Sequence, residues 1–155
     1  MSLFSRTSEK QLDIGLTILR VVVGAIFAAH GAQKIFVFGF DGVAGAFAQM
    51  GIPMAGILGL FVALVELLGG LALIFGFLTR LAAFGLAADM LVAILKVHLA
   101  AGFFAPKGIE FPLSLFGAAL MLAFTGAGKL AVDSLFVRKA GSEAATSDQK
   151  LRRVA

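Results

Sequence analysis

The sequence predicts an all-α integral membrane protein, a bundle of four transmembrane helices. Both termini are expected to be cytoplasmic, with a short interfacial helix between the first and second spans. Three observations predict this. The 155 residues are 60% hydrophobic and only 14% charged, with a mean hydropathy of +1.01, whereas soluble domains run at about 45–50% apolar and ~25% charged. Four apolar stretches approach or exceed the ~20 residues that a helix needs to cross a bilayer. Lysine and arginine gather on one side of those stretches.

Taken in order, Ser8-Glu9-Lys10-Gln11 has the spacing of a capping box and starts the first helix. The first span is 12–38, interrupted by Arg20, His30 and Lys34. It is too long for the apolar core of a signal peptide, so it is read as retained. Residues 39–53 are too short to cross; Asp41 can cap a short interfacial helix there, and Gly51 and Pro53 end it. The second span, 54–77, carries one charge, Glu66. The segment from Gly76 to Thr79 leaves room only for a tight turn, so the second and third helices are antiparallel neighbours. The third span, 79–103, carries Asp89, Lys96 and His98. The fourth and shortest, 109–125, has Glu110 at its mouth and Pro112 in its first turn. The division is therefore a cytoplasmic N-terminal segment over 1–11, a four-helix membrane domain over 12–137, and a disordered basic cytoplasmic tail over 138–155.

Charge placement sets the orientation. Arg6, Lys10, Arg80, Lys129, Arg138, Lys139, Lys150, Arg152 and Arg153 would share the cytoplasmic side, against Lys107 alone on the other. The net charge of +4 is thus explained by topology rather than by a nucleic-acid partner. With no cysteine in the chain, disulfides, thiolate metal sites and cysteine-ligated clusters are excluded. No metal site is expected.

The charges inside the spans are the main functional clue, because each costs roughly 2.5–3.5 kcal/mol at a helix centre on insertion scales and normally faces a bundle interior or water. Arg20, Lys34 and Lys96 balance Glu66, Asp89 and Glu110. Counting about 1.5 Å per residue from the cytoplasmic ends sorts them into two sets. Arg20, Glu66 and Asp89 would meet near mid-membrane as structural ion pairs. His30, Lys34, Lys96, His98 and Glu110 would form an outer set. At 100° per residue Asp89 and Lys96 share a face about 20° wide, while His98 points nearly opposite. Lys96 is therefore the expected bundle-facing residue. On the second span Gly56, Gly59, Ala63, Glu66, Gly69 and Gly70 make a small-residue stripe, which lets helices approach closely in lipid and turns Glu66 toward protein. Lys34 could equally snorkel to the outer interface, His30 could be a hydrogen-bonded core residue, and Glu66 could serve only to fix register.

Several motifs resemble the DoxX family. These are His30-Gly31-x-x-Lys34, Gly51-Ile52-Pro53, VELLGGLALIFGFLTRLAA around Glu66, HLAAGFF at 98–104 with Glu110 after it, and TGAGKLAVDSL at 125–135. The last departs slightly, with Gly126-Ala127-Gly128 where similar proteins often have Gly-Pro-Gly. The resemblance covers about 12–135. It implies a four-helix protein of the bacterial inner membrane, a membrane subunit or partner in quinone-linked redox and oxidative-stress systems. A quinone site needs an apolar slot, donors to its oxygens and a proton-handling group. His30 and Glu66 are the candidate catalytic groups, and His30, Lys34, Lys96, His98 and Glu110 the candidate cofactor-binding ones. Haem held by His30 and His98 is a second expectation. Other classes stay open: a non-catalytic anchor for a soluble redox enzyme, a small-solute or proton transporter, and a homo-oligomer of any of these.

Overall fold

The structure, a computed structural model, describes residues 8–135. The tail expected over 138–155 and most of the N-terminal segment lie outside the described residues. Helix α1 spans Glu9–Ala32, opened by the capping box: Ser8 Oγ accepts from the Gln11 amide, and Gln11 Oε1 accepts from the Ser8 amide at 2.8 Å. It continues through a wider π-helical stretch, Gln33–Phe38, and bends into α2, Gly39–Gln49, at Gly39 (φ 68°). Helix α3 spans Ala55–Phe75. Helix α4 spans Thr79–Ala93 and runs on through a π-helical stretch, Ile94–His98, and one tight turn, Leu99–Ala101. Helix α5 spans Glu110–Thr125. Three of these helical paths are long and apolar enough to cross a membrane. The fourth, α5, is 16 residues long and completes the bundle.

The helices run up, down, up and down, with α1 against α3, α3 against α4, and α4 against α5. Val23, Phe27, Leu73, Leu86, Met90, Leu115 and Leu122 fill the centre. Ile18, Phe36, Ile57, Phe61, Leu68, Leu81, Phe84 and Phe124 are exposed on the perimeter, the pattern of a helix bundle solvated by lipid. The short helix expected between the first two spans is α2, and it packs on the first turns of α3, with Val43 and Ala44 over Gly59.

Backbone contact between α1 and α3 sets the whole arrangement. A Cβ placed at Gly24 would lie 2.6 Å from the Gly70 carbonyl, and one at Gly31 would lie 2.3 Å from the Leu67 amide. Small residues are what permit two helices to close to this distance in lipid, where packing rather than hydrophobic exclusion drives association.

The end of the bundle nearest the N-terminus is tied by a second group of contacts. Residues 126–135 fold back under the α3–α4 turn. There Asp133 accepts from the backbone amides of Leu78 and Thr79 at 2.8 and 2.9 Å, capping α4 from 54 residues away. Leu78 sits at φ 47°, a left-handed conformation that costs a branched residue roughly 1–2 kcal/mol; the Asp133 bond holds it. Gly76 turns at φ 69° directly beside the Arg20 guanidinium, where any side chain would collide.

Candidate ligand site at the distal end of the bundle

Three of the charges expected inside the membrane meet at the half of the bundle farther from the N-terminus. Lys34, in the π-helical stretch that follows α1, is ion-paired to Glu66 on α3, whose side chain is only 5% exposed. A helical side chain leans toward its own N-terminus. Lys34 therefore reaches back along α1 from beyond Gly31 to meet Glu66, one residue before Leu67, the point of closest approach. Asp89 on α4 lines the same cavity as this pair. Two carboxylates and one ammonium thus face one cavity. One oxygen of Asp89, Oδ2, is buried with no hydrogen-bond partner among the described residues.

These groups form the floor of a cavity of about 390 Å³. Its walls include Phe27, Phe47, Met50, Phe111 and Leu115, and His30 and His98 complete its polar lining. The His30 ring is tilted against Phe111 at a centroid distance of 6.2 Å. His98 is anchored by Nδ1, 2.7 Å from the Lys107 carbonyl, so its other ring nitrogen is not committed to that bond.

The other expected residues go elsewhere. Arg20 does not join Glu66 and Asp89. Arg20 stands about three turns of α1 before Gly31, level with the end of α3, and its guanidinium ends on one carbonyl of the last turn of α3 and one of the segment over 126–135. There it donates to Ile74 at 3.2 Å and to Leu130 at 2.7 Å. The expected central Arg20–Glu66–Asp89 set is therefore replaced by Lys34–Glu66–Asp89. Lys96 is exposed and outside the cavity. The reason is the π-helical stretch at Ile94–His98. An i→i+5 turn takes up one extra residue, which rotates later positions back by about 100°. That turns Lys96 outward and brings His98 toward the bundle, the reverse of the regular-helix expectation. Glu110 is also outside the cavity lining and accepts from the Ala105 amide at 2.9 Å, pinning the loop before α5.

Asp133 was missed as a helix cap, because a cap supplied from 54 residues away leaves no local signal. Asp13, which accepts from the Lys129 amide at 3.0 Å, was missed for the same reason.

Comparison with known proteins places the chain. It is 35% identical over 125 residues to the Bacillus subtilis protein named "Putative oxidoreductase CatD", covering 81% of this chain and 89% of that one. It is 34% identical to an uncharacterized Haemophilus influenzae protein over 84% of this chain and 97% of that one. It is 33% identical to the Escherichia coli inner membrane protein YqjF over 84% of this chain and 98% of that one. No solved structure matches significantly. The DoxX family pattern matches residues 15–99, the stretch that holds His30, Lys34, Glu66, Asp89 and His98. By that match and by these relatives, the chain belongs to the DoxX family and is a multi-pass protein of the bacterial inner membrane.

Proposed function

We propose that the protein is the membrane subunit or partner of a quinone-linked redox system, and that the distal cavity takes a quinone or quinol headgroup. The observation that carries this reading is the pairing of apolar aromatic walls with a convergent set of proton-carrying groups, one of which, Asp89, has its Oδ2 buried and without a partner among the described residues. Such a volume lies within the ordinary range for small-ligand sites. An orphaned carboxylate oxygen suits a hydroxyl donor, and an imidazole suits either a hydroxyl or a carbonyl. The name of the Bacillus relative supports a redox role without naming its substrate.

Reduction of a quinone takes up two electrons and two protons, and oxidation of a quinol releases them. Asp89, Glu66, His30 and His98 are the groups that would hold or pass the protons. The electrons would come from or go to a redox centre on a partner protein. Phe27 and Phe111 would exclude water around the ring.

The test is purification in native lipid nanodiscs, followed by quinone extraction and a visible spectrum. Quinone enriched above the bulk-membrane ratio in the parent protein and lost in Glu66→Gln and His30→Ala supports the reading. Equal, unenriched quinone in all three overturns it. A Soret band in the purified protein would assign the cavity's histidines to haem instead.

A further inference from the structure

Beyond the polar cavity, an apolar groove of about 380 Å³ opens on the outer face between α3 and α4. It shares Phe47, Ile52, Val62, Asp89 and Val92 with the polar cavity, so the two adjoin across one wall that includes Asp89. Exposed Phe61 and Phe84 flank its mouth. The groove continues along the same seam into a second apolar trough of about 770 Å³, through Phe61, Val65 and Gly85. Small residues keep the seam open. A Cβ at Gly85 would come only within 3.8 Å of Val65, and Ala88 is exposed along it.

We infer that this seam is the lateral entrance and tail channel for a ligand with a neutral ring headgroup and one long apolar tail, its head in the cavity and its tail between α3 and α4. This deepens the quinone reading and rests on it. The shared wall carries the assignment, since one molecule with a polar end and an apolar end matches a polar cavity and an apolar groove that adjoin at Val62, Asp89 and Val92. Charge selects the head. Lys34 is already paired to Glu66, and Asp89 adds a second carboxylate. A phosphate headgroup would therefore meet a site with no net positive charge, while a hydroxyl or carbonyl would meet acceptors and donors.

The experiment uses photoreactive azidobenzoquinones in nanodiscs of phosphatidylethanolamine and phosphatidylglycerol, one probe without a tail and one with a decyl tail. Ala88→Phe fills the seam without touching the polar cavity, and Gly85→Leu serves if that variant does not elute as a single species. Partitioning into lipid is common to parent and variant and cancels between them. The expected result is a half-saturating concentration for the tailed probe raised at least about tenfold by the filled seam, with the tail-less probe unchanged. Equal effects on both probes, or no effect on either, overturn the tail channel while leaving the headgroup site standing. Failure of either probe to saturate the parent protein overturns the quinone reading itself and the channel with it. Labelling of the seam by a diazirine phospholipid that the tailed quinone does not displace would assign it to a lipid chain and overturn the inference.

Discussion

The two ends of this bundle treat buried charge in opposite ways. Near the N-terminus, Arg20 and Asp133 end on backbone groups: Arg20 on the carbonyls of Ile74 and Leu130, Asp133 on the amides of Leu78 and Thr79. At the distal end, Lys34 ends on Glu66 beside an open cavity, and Asp89 lines the same cavity with one carboxylate oxygen that has no partner among the described residues. Backbone partners cannot titrate or leave, so charges bound to them hold the chain in place. Side-chain partners next to free volume can exchange protons and accept a ligand. Burial alone does not tell a structural charge from a working one; the identity of its partner does.

The largest way to break the comparison is to remove its common support. Gly31→Leu would drive a side chain into the Leu67 backbone of α3, and neither helix can yield without separating. We expect loss of folded protein from the membrane fraction, read by detergent-resistant yield and size-exclusion profile. A normal yield would mean that α1 and α3 are not in backbone contact.

Next comes a crossed pair. Arg20→Met removes two charge-assisted hydrogen bonds, each of the class worth ~1.5–3 kcal/mol. Thermal unfolding in nanodiscs should show destabilisation of about 3 kcal/mol or more, with quinone retained per folded molecule. Glu66→Gln keeps a side chain able to hydrogen-bond and should cost only about 1 kcal/mol, yet abolish quinone enrichment. If the two variants lost stability and quinone in the same proportion, the division between the two ends would fail.

How much of this could be read beforehand depends on the range of the interaction. The bundle, its spans and the Ser8–Gln11 capping box follow from hydropathy and local spacing, which act within one segment. So does the turn between α3 and α4. The close face of Gly70 and the inward direction of Glu66 were visible in the small-residue stripe of α3. The partner of Glu66 was not, because depth along each helix says nothing of which way a long side chain leans. Nor does a count from the expected span ends fix the register: Gly31 lies against Leu67 and Gly24 against Gly70, which sets Glu66 level with the end of α1 and Arg20 level with the end of α3. Contacts between segments far apart in sequence, such as Asp133 to Thr79 and Asp13 to Lys129, have no periodic signature at all.

Asp133→Ala sharpens the structural side with a smaller effect. It leaves the amides of Leu78 and Thr79 without their acceptor and releases the left-handed Leu78. Loss of a helix cap typically costs about 0.5–2 kcal/mol. Differential scanning fluorimetry should show that loss, with partial recovery in Asp133→Asn, whose amide oxygen can still accept one of the two bonds. Identical stability of the alanine variant and the parent would mean that the segment over 126–135 does not hold the turn.

The smallest expected effect tests the π-helical stretch at the end of α4. In a regular helix Lys96 would share the face of Asp89, and His98 would point away. With the extra residue taken up at Ile94–His98, Lys96 is exposed, while His98 lines the cavity and binds the Lys107 carbonyl. Lys96→Ala should therefore change stability by no more than about 0.5 kcal/mol and leave bound quinone untouched. His98→Ala should lower bound quinone while sparing the fold, because the polar contact it gives up ties only the loop before α5. The pair discriminates sharply because the two residues stand two positions apart, on the same turn and at nearly the same depth. Distance from the membrane surface and sequence neighbourhood are matched, so helical register decides which of the two reaches the cavity. The opposite outcome, with Lys96 required and His98 dispensable, would restore the regular helix and move the wall of the cavity by about a quarter turn.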